Sequence, residues 1–171
     1  MKIIPYLLII FFLTHASCQE NRDRQEKKIN ISAEQLAEVN RQLMIKDRER
    51  IVSYIERKGL QMTETETGLW ITTDTESKCA ISEGDKVTLE YVCSLLDGTV
   101  IYDSDNEGLM SFEVGRSDVP SGLTEGVKLL DKGSEATLII PGYLGYGLMG
   151  DEKKIPARSI LVYQIKVVSV D

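Results

Sequence analysis

Three features of this 171-residue chain predict an α+β fold: a curved antiparallel sheet of about five strands wrapped around one short helix and preceded by an N-terminal helix. Residues 31–58 repeat apolar side chains at helical spacing. Residues 66–170 contain stretches in which polar and apolar side chains alternate. Within that second region one segment, Leu123, Val127 and Leu130, returns to helical spacing. Single apolar faces on the strands and a single stripe on the helix imply that the sheet curls around it. About one hundred residues can bury such a core without help.

The N-terminal helix is read over Ile31 to Lys58. Ser32 is a good N-cap, Gln35 completes a capping box, Ile31 can staple to Leu36, and Gly59 ends the run. Leu36, Val39, Leu43, Ile51 and Tyr54 share one face, but Asp47 falls inside that stripe. The face suits self-association or a partner helix; the plain alternative, favoured by the interruption, is a helix packed on its own domain or a solvated spacer. Glu66 to Asp74 alternates as an opening strand, Leu69 and Ile71 on one face, Trp70 and Thr72 on the other. Ser82 to Asp85 makes a turn, and Val87, Leu89 and Tyr91 line one face of the next strand. Asp97 and Gly98 mark a tight connection. Ala136 to Ile140 and Ile160 to Val170 are further strands, and the short helix lies between Gly122 and Gly133.

Composition narrows the function. The formal charge is −7, and the basic residues Lys46, Arg48, Arg50, Arg57 and Lys58 are interleaved with acids, so no cationic stripe for nucleic acid exists. The one histidine is His15. It lies in a stretch with the layout of a secretory signal: Lys2, an apolar run from Ile3 to Leu13 too short to span a bilayer, then small and polar residues up to Cys18. Its removal would exclude histidine triads and histidine-ligated metals. Asp and Glu are scattered rather than spaced as a metal site. The expected division is 1–17 signal peptide, 18–31 charged tether, 32–59 N-terminal helix and 60–171 second unit. Cys18 after Ala16 and Ser17 resembles the lipidated first residue of a bacterial lipoprotein, although His15 stands where such sites usually have leucine; ordinary cleavage after Ala16 is the alternative. Cys79 and Cys93 could pair in an oxidising compartment, closing a loop of about 15 residues worth ~3 kcal/mol. Equally they could be two separate small buried residues.

The segment A-T-L-I-I-P-G-Y-L-G-Y at Ala136 to Tyr146, together with Tyr91 and Y-D-S-D at Tyr102 to Asp105, resembles the pocket of the FKBP-type peptidyl-prolyl cis-trans isomerases. The resemblance covers Gly84 to Asp171 strongly and Gly68 to Ile71 more weakly. It implies the FKBP-like version of the fold and a pocket carried over residue by residue. Tyr91 matches the tyrosine of the second strand, Tyr102 an aromatic that is usually phenylalanine, and Asp103 the aspartate of the D-S motif. Met110 takes another aromatic position, Val119 a wall and Leu123 the floor. Tyr146 matches the hydrogen-bonding tyrosine of the A-Y-G motif, Ile155 a rim residue and Tyr163 the last-strand aromatic. Tyr91, Asp103 and Tyr146 are the implied catalytic set; Tyr102, Met110, Val119, Leu123, Ile155 and Tyr163 the implied substrate contacts. The tethered helix and the charged loop at Gly145 to Pro156 resemble the FKBP-like lipoproteins of gliding bacteria and their relatives.

These residue types suit the chemistry. Rotation about a peptide bond faces a barrier of about 18–20 kcal/mol from amide resonance, and lowering it needs neither a nucleophile nor a proton relay. A dry cup that holds the twisted amide better than either planar isomer is enough. Tyr146 would donate to a substrate carbonyl, and Asp103 would tune the field beside it; alternatively Asp103 simply caps a turn. No cofactor is needed. The expected partners are proline-containing polypeptide clients, and a membrane through the anchor at Cys18. Two departures point to a non-catalytic binding or holdase module, or a structural lipoprotein, as the competing function. Leu123 is smaller than the usual tryptophan floor. Pro120, in an ungapped match, falls where the family uses a backbone N–H, a role that a one-residue shift would give to Val119.

Overall fold

The computed structural model describes residues 32–73, 81–116 and 119–171. Cys18, Ile31 and Cys79 lie outside the described residues, and with them the lipidation site, the staple and one half of the Cys79–Cys93 pairing.

Helix α1 runs Ala33–Lys58. The capping box closes in both directions: the Gln35 N–H donates to Ser32 Oγ at 3.2 Å and the Ser32 N–H to Gln35 Oε1 at 2.9 Å. At the other end Gly59 takes φ +64, a left-handed conformation that a Cβ disfavours. There the Leu60 N–H reaches back to the Ile55 carbonyl at 3.1 Å, the signature of a Schellman stop. Ile51 is buried against Ile139, Ile160 and Val162, with Tyr54, Ile55 and Trp70 around them. Asp47, which interrupts the apolar stripe in sequence, is 6% exposed. Its carboxylate accepts from the Gly142 N–H and lies near Arg50 and Arg158, while burial keeps its pKa above the usual carboxylate range. The helix therefore packs on its own domain, and Asp47 is one of its attachment points.

Among the described residues seven strands form one antiparallel sheet: β1 Thr63–Glu64, β2 Trp70–Thr73, β3 Lys86–Leu95, β4 Val100–Asp103, β5 Met110–Glu113, β6 Glu135–Ile140 and β7 Leu161–Val170. Their order is β1-β2-β6-β7-β3-β4, with β5 also pairing β3. The expected five become seven because β1 is 2 residues long and β5 is 4, too short for an alternation to register. Two short helices accompany the sheet rather than one: α2 Ser104–Glu107 after β4, and α3 Ser121–Val127.

Register decides what each face carries. Tyr102, Cys93, Tyr163, Leu138 and Ile71 are successive partners across β4, β3, β7, β6 and β2. They pack in the main core together with Leu123 and Val127 of α3. One residue along, Asp103, Val92, Gln164, Thr137 and Thr72 form the outward row. Strands β6 and β7 are covered on both sides, Leu138 and Tyr163 facing α3 while Ile139 and Val162 meet α1. That double burial is why Leu138-Ile139-Ile140 reads as an unbroken apolar run.

Candidate active site

Tyr91 and Cys93 project from β3 and Tyr163 from β7, all three nearly or fully buried. The Tyr91 and Tyr163 rings lie 6.3 Å apart at 32°, within the range of favourable aromatic pairs. Where β4 gives way to α2, the Ser104 hydroxyl takes over the strand pairing. It accepts from the Tyr91 N–H at 3.1 Å and donates to the Tyr91 carbonyl at 3.2 Å. That pair of hydrogen bonds ties the backbone of Tyr91 to the first residue of α2.

The second half of the site is a loop, residues 141–158. Successive turns bring the Leu144, Gly145 and Gly147 N–H groups onto the carbonyls of Pro141 and Gly142, and Gly122 of α3 donates to Leu144 O at 2.9 Å. The loop closes on itself at Asp151. One carboxylate oxygen accepts from the Lys153 N–H at 3.0 Å and the Ile155 N–H at 2.7 Å; the other accepts from the Tyr102 hydroxyl on β4. Gly150 is required there: φ is +73 and a Cβ would stand 2.1 Å from the Ile155 carbonyl oxygen.

Eight of the nine matched positions meet in one apolar cluster. Tyr91, Leu123, Ile155 and Tyr163 are buried in it, and Tyr102, Met110, Val119 and Tyr146 pack against it half-buried. Asp103 is the exception. It ends β4 in the outward row and caps α2, accepting from the Asn106 N–H at 2.8 Å and from the Asn106 amide nitrogen at 2.8 and 2.9 Å. It lines an outer groove of about 680 Å³ with Glu90, Gln164 and Lys166, a polar trough unsuited to a proline ring. Asp103 reaches the cup through its charge, one of several that raise the Tyr91 pKa after burial and Glu107. Pro120 sits at the N-cap of α3 with its carbonyl accepting from Leu123 and Thr124.

The protonation states are uniform. Burial pushes the Cys93 thiol up to about 11, and the bond to Asp151 pushes Tyr102 up to about 12. Burial also raises Tyr91, Tyr146 and, far more strongly, Tyr163. The Tyr163 hydroxyl lies within hydrogen-bonding reach of both Tyr146 and Cys93. Asp103 is held below the usual carboxylate range by Asn106. Asp151 is also low: burial alone would raise it, but Tyr102 and the loop N–H groups outweigh that. None of these groups is shifted toward neutrality, so the cluster holds apolar surface and fixed dipoles rather than a group poised for proton transfer.

Sequence reasoning missed two members. Asp151 was read only as part of the charged loop at Gly145 to Pro156, although an aspartate bonding N–H groups two and four residues on is a recognisable Asx-type turn. Cys93 was weighed for a disulfide or as a separate small buried residue; its cross-strand position opposite Tyr163 is what places it in the same buried cluster.

The sequence profile of the family described as FKBP-type peptidyl-prolyl cis-trans isomerase matches residues 78–168. The chain is 38% identical over 115 residues to a probable FKBP-type peptidyl-prolyl cis-trans isomerase, FkpA, of Neisseria meningitidis, covering 67% of this chain and 41% of that relative. With FK506-binding protein 3 of Dictyostelium discoideum it shares 33% over 122 residues, 70% of this chain and 61% of the relative. The chain thus spans between about two-fifths and three-fifths of these relatives' lengths. Among solved structures it superposes on FkpA from Escherichia coli with a TM-score of 0.62 at 26% identity, covering 83% of this chain and 74% of that one. A cup of matched residues on a matching fold, with more than half of the chain inside the family profile, places this protein in the FKBP-type peptidyl-prolyl cis-trans isomerase family.

Proposed function

We propose that this chain is a peptidyl-prolyl cis-trans isomerase that assists the folding of exported proteins, taking proline-containing polypeptides as substrates. The observation that carries this reading is the convergence of Tyr91, Tyr102, Met110, Val119, Leu123, Tyr146, Ile155 and Tyr163 on one apolar cluster in which no titratable group is tuned for proton transfer. The proline ring enters the aromatic cup. The Tyr146 hydroxyl, which can accept from Tyr163, keeps its own hydrogen for a client carbonyl. Each ~1.4 kcal/mol by which the cup favours the twisted amide is a factor of ten in rate.

The test is cis-trans exchange of a short X-Pro peptide followed by NMR, wild type beside Tyr146→Phe and Asp103→Ala. Acceleration by the wild type, reduced about tenfold or more in Tyr146→Phe, is expected. Asp103→Ala should lose less, because Asp103 acts from the outward row. A folded wild type that leaves the exchange at its buffer rate would sink the reading.

Pro120 supports a second reading, a binding or holdase module with little turnover, since that position has no N–H to offer a client carbonyl. We also propose export, with a lipid on Cys18, anchoring at the outer membrane or residence in the periplasm, and the division 1–17, 18–31, 32–59 and 60–171. Support comes from the layout of residues 1–28. Mass spectrometry of the mature N-terminus separates a diacylated Cys18 from cleavage after Ala16. Self-association through the 32–58 helix is a further proposal, checked by sedimentation.

A further inference from the structure

Four side chains from three elements form a continuous chain over the rim of the cup. Glu107 of α2 pairs with Lys154 Nζ at 2.9 Å, and that ammonium stands 4.7 Å from the centre of the Tyr102 ring. The Tyr102 hydroxyl donates to Asp151, and Asp151 in turn holds the N–H groups of Lys153 and Ile155. Both oxygens of the Asp151 carboxylate are committed, one to the loop and one to the sheet. The loop that it ties down supplies two cup residues, Tyr146 and the buried Ile155. Its outer turn is exposed, Leu148 at 70% and Met149 at 73%, so neighbouring side chains there do little to hold it.

We propose that Asp151 is a positioning residue for the isomerase site, holding the 141–158 loop shut on Tyr102 before a client arrives. The proposal rests on the isomerase reading above. Asp151 touches no substrate atom; it acts through Tyr102, Tyr146 and Ile155. A loop ordered in advance spares each binding event the entropy of ordering it. That gain is the same for the planar and the twisted amide, so it belongs to KM and not to kcat. The Lys154 and Glu107 pair is half exposed and screened, which leaves the Tyr102–Asp151 bond as the principal tie. The protonation states agree: the hydrogen bonds from Tyr102 and the loop N–H groups outweigh burial and keep the Asp151 carboxylate ionised, and the bond to it keeps the Tyr102 phenol protonated.

The experiment is X-Pro exchange by the full chain as a function of peptide concentration, in wild type, Asp151→Ala, Asp151→Asn, Tyr102→Phe and the Tyr102→Phe/Asp151→Ala double variant. Asp151→Ala and Tyr102→Phe should each raise KM about three- to tenfold with kcat inside about twofold. The double variant should be no worse than Asp151→Ala alone, because both changes break one bond. Asp151→Asn keeps one oxygen for the loop N–H groups and turns its amide NH2 toward the Tyr102 oxygen, which can accept from it, so it should recover most of the loss. An unchanged KM in Asp151→Ala, multiplying effects in the double variant, or a fall in kcat at constant KM would each overturn the proposal. Should the wild type itself fail to accelerate exchange, the isomerase reading fails and the latch is decided by hydrogen exchange at the Ile155 and Lys153 amides. Faster exchange by about tenfold in Tyr102→Phe upholds it; wild-type protection overturns it.

Discussion

The cup has two halves that are held in place by different physics. Tyr91, Cys93, Tyr102 and Tyr163 stand on three paired strands, where register dictates the direction of every side chain. Tyr146 and Ile155 stand on a loop, where a carboxylate, a glycine and a handful of N–H groups do the same job. The strand half can lose its position only if the sheet comes apart. The loop half can lose it locally, while the core stays folded. A cluster built this way keeps a rigid wall and places the adjustable side chains opposite it.

Breaking the strand half should therefore be a global event. Tyr163→Ala removes a fully buried ring from the main core and is expected to destabilise the protein by about 3–5 kcal/mol in urea unfolding. Gly150→Ala strikes the loop half: the added Cβ meets the Ile155 carbonyl and the backbone must leave its left-handed conformation. A local penalty of about 1–3 kcal/mol is expected. It should appear as faster amide exchange in residues 147–158, with the unfolding midpoint moved less than in Tyr163→Ala. If the two substitutions lower global stability equally, the loop is part of the core and the contrast is wrong. Tyr163→Phe sharpens the comparison at the seam, since it removes only the hydroxyl shared with Tyr146 and Cys93. About 1 kcal/mol should be lost, with the wall intact and Tyr146 less well oriented.

The smallest expected effect is no effect at all. The lowered carboxylates Asp103 and Asp151 favour the folded state when ionised. That contribution is complete above the unfolded pKa of about 3.9 and disappears as pH falls through the lower folded values. The raised tyrosines and Cys93 stay protonated up to about pH 9. Exchange activity should be level from about pH 5 to 9 and decline only in acid, as the Asp151 tie protonates and the loop half loosens first. A bell-shaped profile centred near neutrality would require a proton-transfer group that the cup does not contain.

The two halves also differed in how far they could be read beforehand. Val87, Leu89 and Tyr91, or Leu161, Tyr163 and Ile165, announce their inward face by period two, because a strand has only two sides. The five cup positions on strands and helices, Tyr91, Tyr102, Met110, Leu123 and Tyr163, follow from such patterns and from the family resemblance; the placement of Asp103 does not. It sits on the strand's last residue, where alternation turns it outward and the following Asn106 captures its carboxylate. In the loop, Gly150 and Asp151 follow no period, and their contacts run to residues up to 49 positions away. Charge was equally misleading on α1: Asp47 looked like a break in an apolar face because the Gly142 N–H that meets it lies in a distant loop.

The two-sided burial of β6 and β7 has a consequence for what can be detached from this molecule. A chain begun at Gly59 would keep every cup residue and the whole sheet. It would also bare Trp70, Ile139, Ile160 and Val162, the bed on which Ile51 lies, as one contiguous water-facing apolar area of the kind that drives aggregation. The first helix is in this sense a fixed lid over the back of the domain, and the smallest well-behaved unit of this protein includes it.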